Sequence, residues 1–265
     1  MIALGTGEIL SNREAAPDYW WMRIHAPAVA RAAKPGQFVH VKCGPGDSPL
    51  LRRPMSIGRV DRAAGTFDIL YKVVGTGTRL MTQMDPGYQV DILGPLGSGF
   101  SFPEGIHRAA VLGRGIGMAP LIFWSVEAAA RGYEVHAFIS GRTAAVCFGA
   151  TELAALGVRV YTGADDGSGV GSDRLLTLFP EVCRAGGIQF ALTCGSRRMS
   201  RLVARLDQEG RLVGEISLEA QMACAMGACR GCTCEVHDAA QGHGPHYALV
   251  CQEGPVFPAR RVVLA

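Results

Sequence analysis

The sequence predicts an antiparallel β-barrel, then a parallel α/β sheet, then a short metal-holding module. Three observations carry this reading. Residues 2–102 are short β-rich runs broken by Pro-Gly and Gly-Pro turns. Residues 103–214 alternate strands with helices. Four cysteines in residues 215–265 stand at metal-ligand spacing. A chain of 265 residues can hold two ordinary domains and an appendage, and these three segments are the expected domains.

Composition narrows the function classes. A hydrophobic share of 48% suits a well-buried core, and a net charge of +3 with 18% charged residues is too weak for nucleic acid. The opening MIALGTGEILSNREAAPDY has no basic start followed by an apolar run, so it does not read as a signal peptide. The most apolar helical stretch, 118–130, is broken by Glu127 and is too short to cross a membrane. Nine cysteines, four of them grouped for metal, point to a reducing cytoplasm rather than a disulfide scaffold.

In the first segment, strands are expected at 19–25, 37–41, 55–60, 67–74 and 89–93, with one helical segment at 78–84. Two motifs there carry chemistry. Arg52-Arg53-Pro54-Met55-Ser56 opens a strand. Leu70-Tyr71-Lys72-Val73-Val74-Gly75-Thr76-Gly77-Thr78 ends a strand in a glycine turn where a helix begins. Amides at such a helix start can hold phosphate, and the glycines allow close approach. An ordinary turn capped by Thr78 is the alternative; the arginine-bearing strand favours a pyrophosphate site.

In the second segment, strands are expected at 108–112, 134–140, 157–162 and 188–193, with helices at 118–131, 150–156 and 197–208. That alternation means a parallel sheet covered on both faces. The turn after the first strand, Gly113-Arg114-Gly115-Ile116-Gly117-Met118-Ala119-Pro120, reads G-x-G-x-G-x-x-P and not the familiar G-x-G-x-x-G. Cys194-Gly195 closes the last strand. Singly these read as a packing turn and a buried thiol. Both fall at carboxyl ends of strands, where open α/β sheets bind ligands, which favours a cofactor.

In the third segment, Cys224, Cys229 and Cys232 stand at C-x4-C-x2-C, and Cys251 follows eighteen residues later. Plant-type two-iron, two-sulfur loops use that order of spacings. Gly227 and Gly231 lie between the ligands, where positive φ and close backbone approach are expected. A structural zinc is the alternative, although zinc sites usually come as two C-x2-C-like pairs. Cys234, in a β-like TCEV run, reads as a neighbour and not a ligand.

These motifs resemble a known family. RRPMSI is similar to the R-x-x-S flavin motif of the ferredoxin reductase superfamily, with Met55 where an aromatic residue is more usual. PGQF at 35–38 and GPLGSGF at 94–100 also resemble that superfamily's first domain, a six-stranded antiparallel FAD-binding barrel. The resemblance implies that Arg53 contacts the FAD pyrophosphate, with Pro54 and Met55 beside it, and that Ser56 lies near the flavin's reactive edge. It further implies that Leu70, Tyr71 and Lys72 line the flavin and that Gly77 and Thr78 hold phosphate. The turn at 113–120 resembles the superfamily's nicotinamide-binding turn, with Arg114 where a small residue is more usual. Gly113, Gly115 and Gly117 would meet NAD or NADP. The run from Cys194 and Gly195 to Met199 is similar to its C-G-x-x-x-M segment, which implies that Cys194 lies beside nicotinamide and flavin. Arg142 and Arg197 are candidates to meet a 2′-phosphate, with plain surface charges as the alternative.

The order of parts most resembles the electron-transfer subunit of the two-subunit, NAD-linked dihydroorotate dehydrogenase. The short cysteine module, TGADDGS at 162–168 and EGPVF at 253–257 carry that likeness. It implies FAD, a 2Fe-2S cluster on Cys224, Cys229, Cys232 and Cys251, and NAD. It also implies a partner, an FMN-containing catalytic dihydroorotate dehydrogenase subunit, in a heterotetramer of two pairs serving pyrimidine biosynthesis. The cluster loop around Met226 and Arg230 would face that partner. A reductase subunit of another oxidoreductase or an oxygenase is the alternative.

Overall fold

The structure, a computed structural model, describes residues 3–168, 170–238 and 243–264. Six strands form the first unit: β1 (Ala3–Ala16), β2 (Tyr19–His25), β3 (Phe38–Val41), β4 (Arg53–Asp61), β5 (Thr66–Lys72) and β6 (Gln89–Leu96). They close into an antiparallel barrel in the order β1-β2-β5-β4-β3-β6. Strand β1 is absent from the five expected from sequence, yet it shuts the barrel. It pairs with β6 from Ala3↔Gly94 to Glu8↔Gln89 and with β2 from Glu8↔His25 onward. Its signal is weak because Gly5 and Gly7 dilute the strand pattern and register shifts interrupt its alternation. A short helix, α1 (Pro27–Ala32), was likewise not expected; α2 (Thr76–Met81) starts two residues before its predicted position. Met22, Ile24, Val39, Ile57, Phe67, Ile69 and Tyr71 fill the interior.

The second unit contains β7 (Arg108–Arg114), β8 (Glu134–Gly141), β9 (Arg159–Ala164), β10 (Phe190–Cys194) and β11 (Val213–Ser217), parallel in the order β11-β10-β7-β8-β9. Its helices are α3 (Met118–Ala130), α4 (Ala150–Ala155), α5 (Ser172–Gly186) and α6 (Arg197–Gln208). Along β7, Ala109 and Val111 pack with Leu121 and Trp124 of α3, while Ala110 and Leu112 pack with Phe179 of α5 and Met199 of α6. Burial on both faces makes the run hydrophobic at every position, as a covered parallel sheet requires. Helix α5 was not expected; Pro180 inside it disguises the pattern.

Strands β12 (Thr233–Asp238) and β13 (His243–Leu249) form a hairpin, and β14 (Val256–Pro258) joins β11 antiparallel at the sheet edge. Strand β11 runs through residue 214, so the expected boundary falls inside a strand. Cys232, Val236, Ala248, Val250 and Phe257 share one core with Leu202, Val203 and Ile216. The cysteine module is therefore packed on the sheet and its helices. Among the described residues no helix is long and apolar enough to cross a membrane.

Candidate functional site

Strand β4 brings Arg53 to one end of the barrel, facing the first turn of α2. A Cβ on Gly77 would stand 3.3 Å from the Arg53 Cζ and 3.1 Å from the Cys43 Sγ, so glycine lets the turn close over the guanidinium. The first-turn amides of α2 have no carbonyl to reach within the helix. With Arg53 they form a cationic cradle that fits a phosphate. The Thr78 hydroxyl is spent elsewhere: its Oγ1 accepts from the amides of Val74 (2.9 Å) and Gly75 (3.2 Å). Gly75 is the cap and Thr78, the third helical residue, reaches back to its amide in a capping box, so Thr78 offers a phosphate only its backbone.

A cavity of about 240 Å³ opens where the three segments meet. Pro54, Met55, Ser56 and Leu70 line it from the barrel, and Ile116, Gly117 and Cys194 line it from the sheet. Segment 217–220, Met222 and Pro255 close it from the cysteine module. Of Leu70, Tyr71 and Lys72, the run expected to line a flavin, only Leu70 lines this cavity. Successive strand side chains point to opposite faces. Tyr71 turns into the barrel core, where its hydroxyl donates to Asn12 Oδ1 at 3.0 Å and burial raises its pKa. Lys72 lies outside the cavity, with its ammonium 5.1 Å from the Tyr19 ring centre. Met55 stands in the cavity wall where the superfamily more often has an aromatic ring.

The glycine turn at the end of β7 is built by close packing. A Cβ on Gly117 would lie 2.6 Å from the Cys194 carbonyl oxygen, and one on Gly195, at φ 82°, would lie 2.7 Å from the Arg114 oxygen. Gly113 packs against Met118 and Leu121. Gly115 differs, with φ 53° and open space where a side chain would project. Cys194 is 3% exposed, and burial pushes its thiol up to about 12, so it sits at the cavity wall as a neutral, uncharged group.

The cysteine loop shapes itself around its sulfurs. The Cys229 amide donates to Cys224 Sγ (3.3 Å), the Gly231 amide to Cys229 Sγ (3.5 Å) and the Cys251 amide to Cys232 Sγ (3.4 Å). Amide donation, from Cys229 first and then Met226, brings the Cys224 thiol down to about 7. Burial, with Cys232 beside it, raises Cys251 to about 12, so that sulfur would ionise only on a metal. Positive φ occurs at Ala225 (57°), Gly227 (84°) and Arg230 (57°); Gly231 does not need it, contrary to expectation. Gly227 also lies against the Gln252 side chain, whose Nε2 donates to the Met226 carbonyl at 3.0 Å. Among the described residues no three His, Cys, Asp or Glu side chains converge on one metal ion. Cys234 belongs to β12, packs against the module core, and burial raises it to about 11.

Sequence reasoning missed Phe38, Ile116, Leu218, Glu219, Ala220 and Met222 as cavity residues. Phe38 and Ile116 lie inside the PGQF and glycine-turn motifs, which do not say that their side chains share a cavity; the other four carry no local motif and meet it only through the fold. Pro255 had a signal, since it lies in the EGPVF run. It bridges to Ser98 of the barrel, and the Leu218 amide donates to its carbonyl at 2.8 Å.

Residues 219–263 match the family described as the iron-sulfur cluster binding domain of dihydroorotate dehydrogenase B. Over 258 residues the chain is 36% identical to the dihydroorotate dehydrogenase B (NAD(+)) electron transfer subunit of Desulforamulus reducens, covering 97% of both chains. The subunit of the same name from Geobacillus thermodenitrificans is 38% identical over 263 residues, again covering 97% of each. Among solved structures, an NADH-dependent reduced ferredoxin-NADP oxidoreductase studied for flavin-based electron bifurcation superposes with a TM-score of 0.82 at 23% identity, over 99% of this chain and 90% of that one. A ferredoxin NADP+ reductase from Neisseria gonorrhoeae with bound FAD and NADP gives 0.64 at 19% identity, over 78% of this chain and 91% of that one. These two likenesses establish the fold: a ferredoxin reductase-like barrel and sheet. Identity of this extent with the two relatives establishes more: the chain belongs to the family of electron transfer subunits of dihydroorotate dehydrogenase B (NAD(+)).

Proposed function

We propose that this chain passes electrons from an FMN-containing catalytic dihydroorotate dehydrogenase subunit through a 2Fe-2S cluster and FAD to NAD. It would do so in the cytoplasm, in a heterotetramer of two pairs, for pyrimidine biosynthesis. One observation carries the reading. A single cavity is walled by the R-x-x-S strand, by Cys194 and Gly117 of the sheet, and by Met222 and Pro255, which flank cluster ligands in the chain.

Bound FAD would exchange a hydride with nicotinamide and single electrons with the cluster. Arg53 and the first-turn amides of α2 would hold its pyrophosphate. Ser56 presents a hydroxyl to the cavity, and neutral Cys194 closes the wall without placing a charge there. Leu70, Met55 and Met222 keep water from the reacting edge. Cys224, Cys229, Cys232 and Cys251 would hold the irons, with three backbone amides stabilising the negative charge on sulfur. Met226, 50% exposed, extends the outer side of the loop, where a docking partner would cover it.

The test is co-purification with the FMN subunit, followed by assay with dihydroorotate and NAD. The pair is expected to form NADH, and the chain alone is expected to reduce a dye from NADH while leaving dihydroorotate untouched. A complex that forms but delivers no electrons to NAD would overturn the reading.

A further inference from the structure

Strand β3 carries one polar side chain into an apolar seam. Val39 and Val41 turn into the barrel core, so Phe38 and His40 face the other way, toward the cysteine module. Phe38 shares a core there with Leu93, Ala225, Cys232 and Cys251. His40 pairs across the sheet with Pro54 on one side and Leu93 on the other, and it is 1% exposed. Among the described residues neither of its ring nitrogens finds a hydrogen-bond partner. A buried polar group left in that state is costly, and an aliphatic side chain of similar size would avoid the cost. Packing alone would be better served by leucine.

The surroundings show what the polarity can do. Burial, and after it the Arg52 guanidinium, lowers the imidazole to about 4, so at neutral pH the ring is uncharged and carries one N–H. Arg52 is itself held on Asp91, by 2.5 Å to Oδ2 and 3.0 Å to the carbonyl. Two carbonyls face the ring, those of Arg52 and Met222, and both pull its pKa back up, although neither reaches hydrogen-bond geometry. Met222 lies two residues before Cys224, and with Phe38 and Pro54 it lines the flavin cavity. His40 therefore stands where the strand bearing Arg53 meets the segment that leads into the cluster loop.

We propose that His40 is a positioning residue for electron transfer between flavin and cluster: its N–H ties the Met222 carbonyl to the barrel. The tie fixes how closely the loop beginning at Cys224 approaches the strand carrying Arg53, Pro54 and Ser56. Donation to the Arg52 carbonyl would only join β3 to β4, which the ladder already joins; donation to Met222 joins the barrel to the cysteine module. The step served moves one electron from reduced flavin to oxidised cluster, with NADH as its source, and His40 neither gains nor loses one. Transfer between two bound groups depends steeply on their separation, so the tie acts on this step and not on hydride transfer. The inference rests on the flavin and cluster of the proposed function.

The experiment mixes the full chain carrying FAD and cluster with NADH, without oxygen, in a stopped-flow instrument. Flavin reduction and the later cluster reduction are followed by absorbance, and the cluster signal is confirmed by electron paramagnetic resonance after freeze-quench. His40→Leu removes both nitrogens and keeps the site filled. It should melt no lower than wild type and reduce its flavin at the wild-type rate, while flavin-to-cluster transfer slows by about tenfold or more. His40→Asn and His40→Gln retain an N–H donor, and at least one of them should recover most of the rate. The cluster's reduction potential should match wild type in all three, because position and not driving force is altered. An unchanged transfer rate in His40→Leu, a rate that falls only together with melting temperature, a loss that neither amide recovers, or a loss matched by a shifted potential would each overturn this inference alone. A wild-type chain that holds no flavin or no cluster would overturn the proposed function, and this inference with it.

Discussion

Replacing Gly117 by alanine isolates what the contact between the glycine turn and β10 contributes to hydride chemistry. Gly117 has φ −62°, which any residue adopts, so the new methyl group adds no backbone strain of its own. Its effect is steric, since the added Cβ would meet the Cys194 oxygen at 2.6 Å, its carbonyl carbon at 2.7 Å and the Gly195 Cα at 2.7 Å. All three are backbone atoms and cannot rotate away. The turn and the end of β10 must separate by several tenths of an ångström, at an overpacking cost of about 1–3 kcal/mol. At roughly 2–4 °C per kcal/mol for a chain of this size, thermal unfolding should fall by roughly 2–12 °C. The same displacement moves Cys194 and the nicotinamide-facing wall of the cavity. Misplacement of that order slows a positioned reaction by about tenfold to a hundredfold. Stopped-flow reduction of the flavin by NADH reads the hydride step directly, while cluster absorbance reports that the cysteine module is intact. A variant with wild-type melting and a wild-type flavin reduction rate would refute the steric argument.

Other substitutions separate the remaining parts. Cys229→Ser should abolish cluster absorbance and partner-dependent electron transfer while FAD and NADH-to-dye activity persist, because Arg53, Gly77 and Leu70 belong to the barrel; surviving cluster absorbance would contradict the ligand set. Arg53→Ala should weaken FAD retention by roughly one to two decades through loss of a charge-assisted phosphate contact of about 1.5–3 kcal/mol, read as flavin content after dilution and gel filtration. Gly227→Ala forces a left-handed residue, at about 1–2 kcal/mol, and displaces Gln252 from the Met226 carbonyl. Its cluster should be lost faster to a chelator, and an unchanged loss rate would count against the Gln252 brace. Met226→Glu puts a charge on the exposed face of the cluster loop without touching a ligand; complex formation should fall, and full retention would remove Met226 from the interface.

Some of this protein was legible before any fold was seen, and the reason is local chemistry. Cys224, Cys229 and Cys232 must lie within one cluster's radius, and a short loop can satisfy that by spacing alone. The Gly-Thr-Gly-Thr turn and the G-x-G-x-G turn are likewise contiguous segments whose backbone conformation follows from their own residues. Strand and helix periodicity sufficed for the two architectures because alternation and burial on both faces write themselves into neighbouring positions. Strand β1 escaped because its glycines and register shifts blur that periodicity, and its pairing with β2 and β6 is what makes it a strand. Leu70, Tyr71 and Lys72 are adjacent in one motif, and only the closed barrel decides that Leu70 faces the cavity while Tyr71 faces the core.

Sequence alone determined the family of chemistry: thiolates for iron, an arginine and glycine turn for phosphate, and strand-end glycines for a dinucleotide. Tertiary structure alone decided that these share one cavity, that Met222 and Glu219 belong to its wall, and that Asp165 neutralises Arg114 fifty-one residues away. The physical reason is separation. Spacing rules act over a few residues, whereas cavities and ion pairs form between segments whose approach is set by burying the sheet, the barrel and the cysteine module against one another.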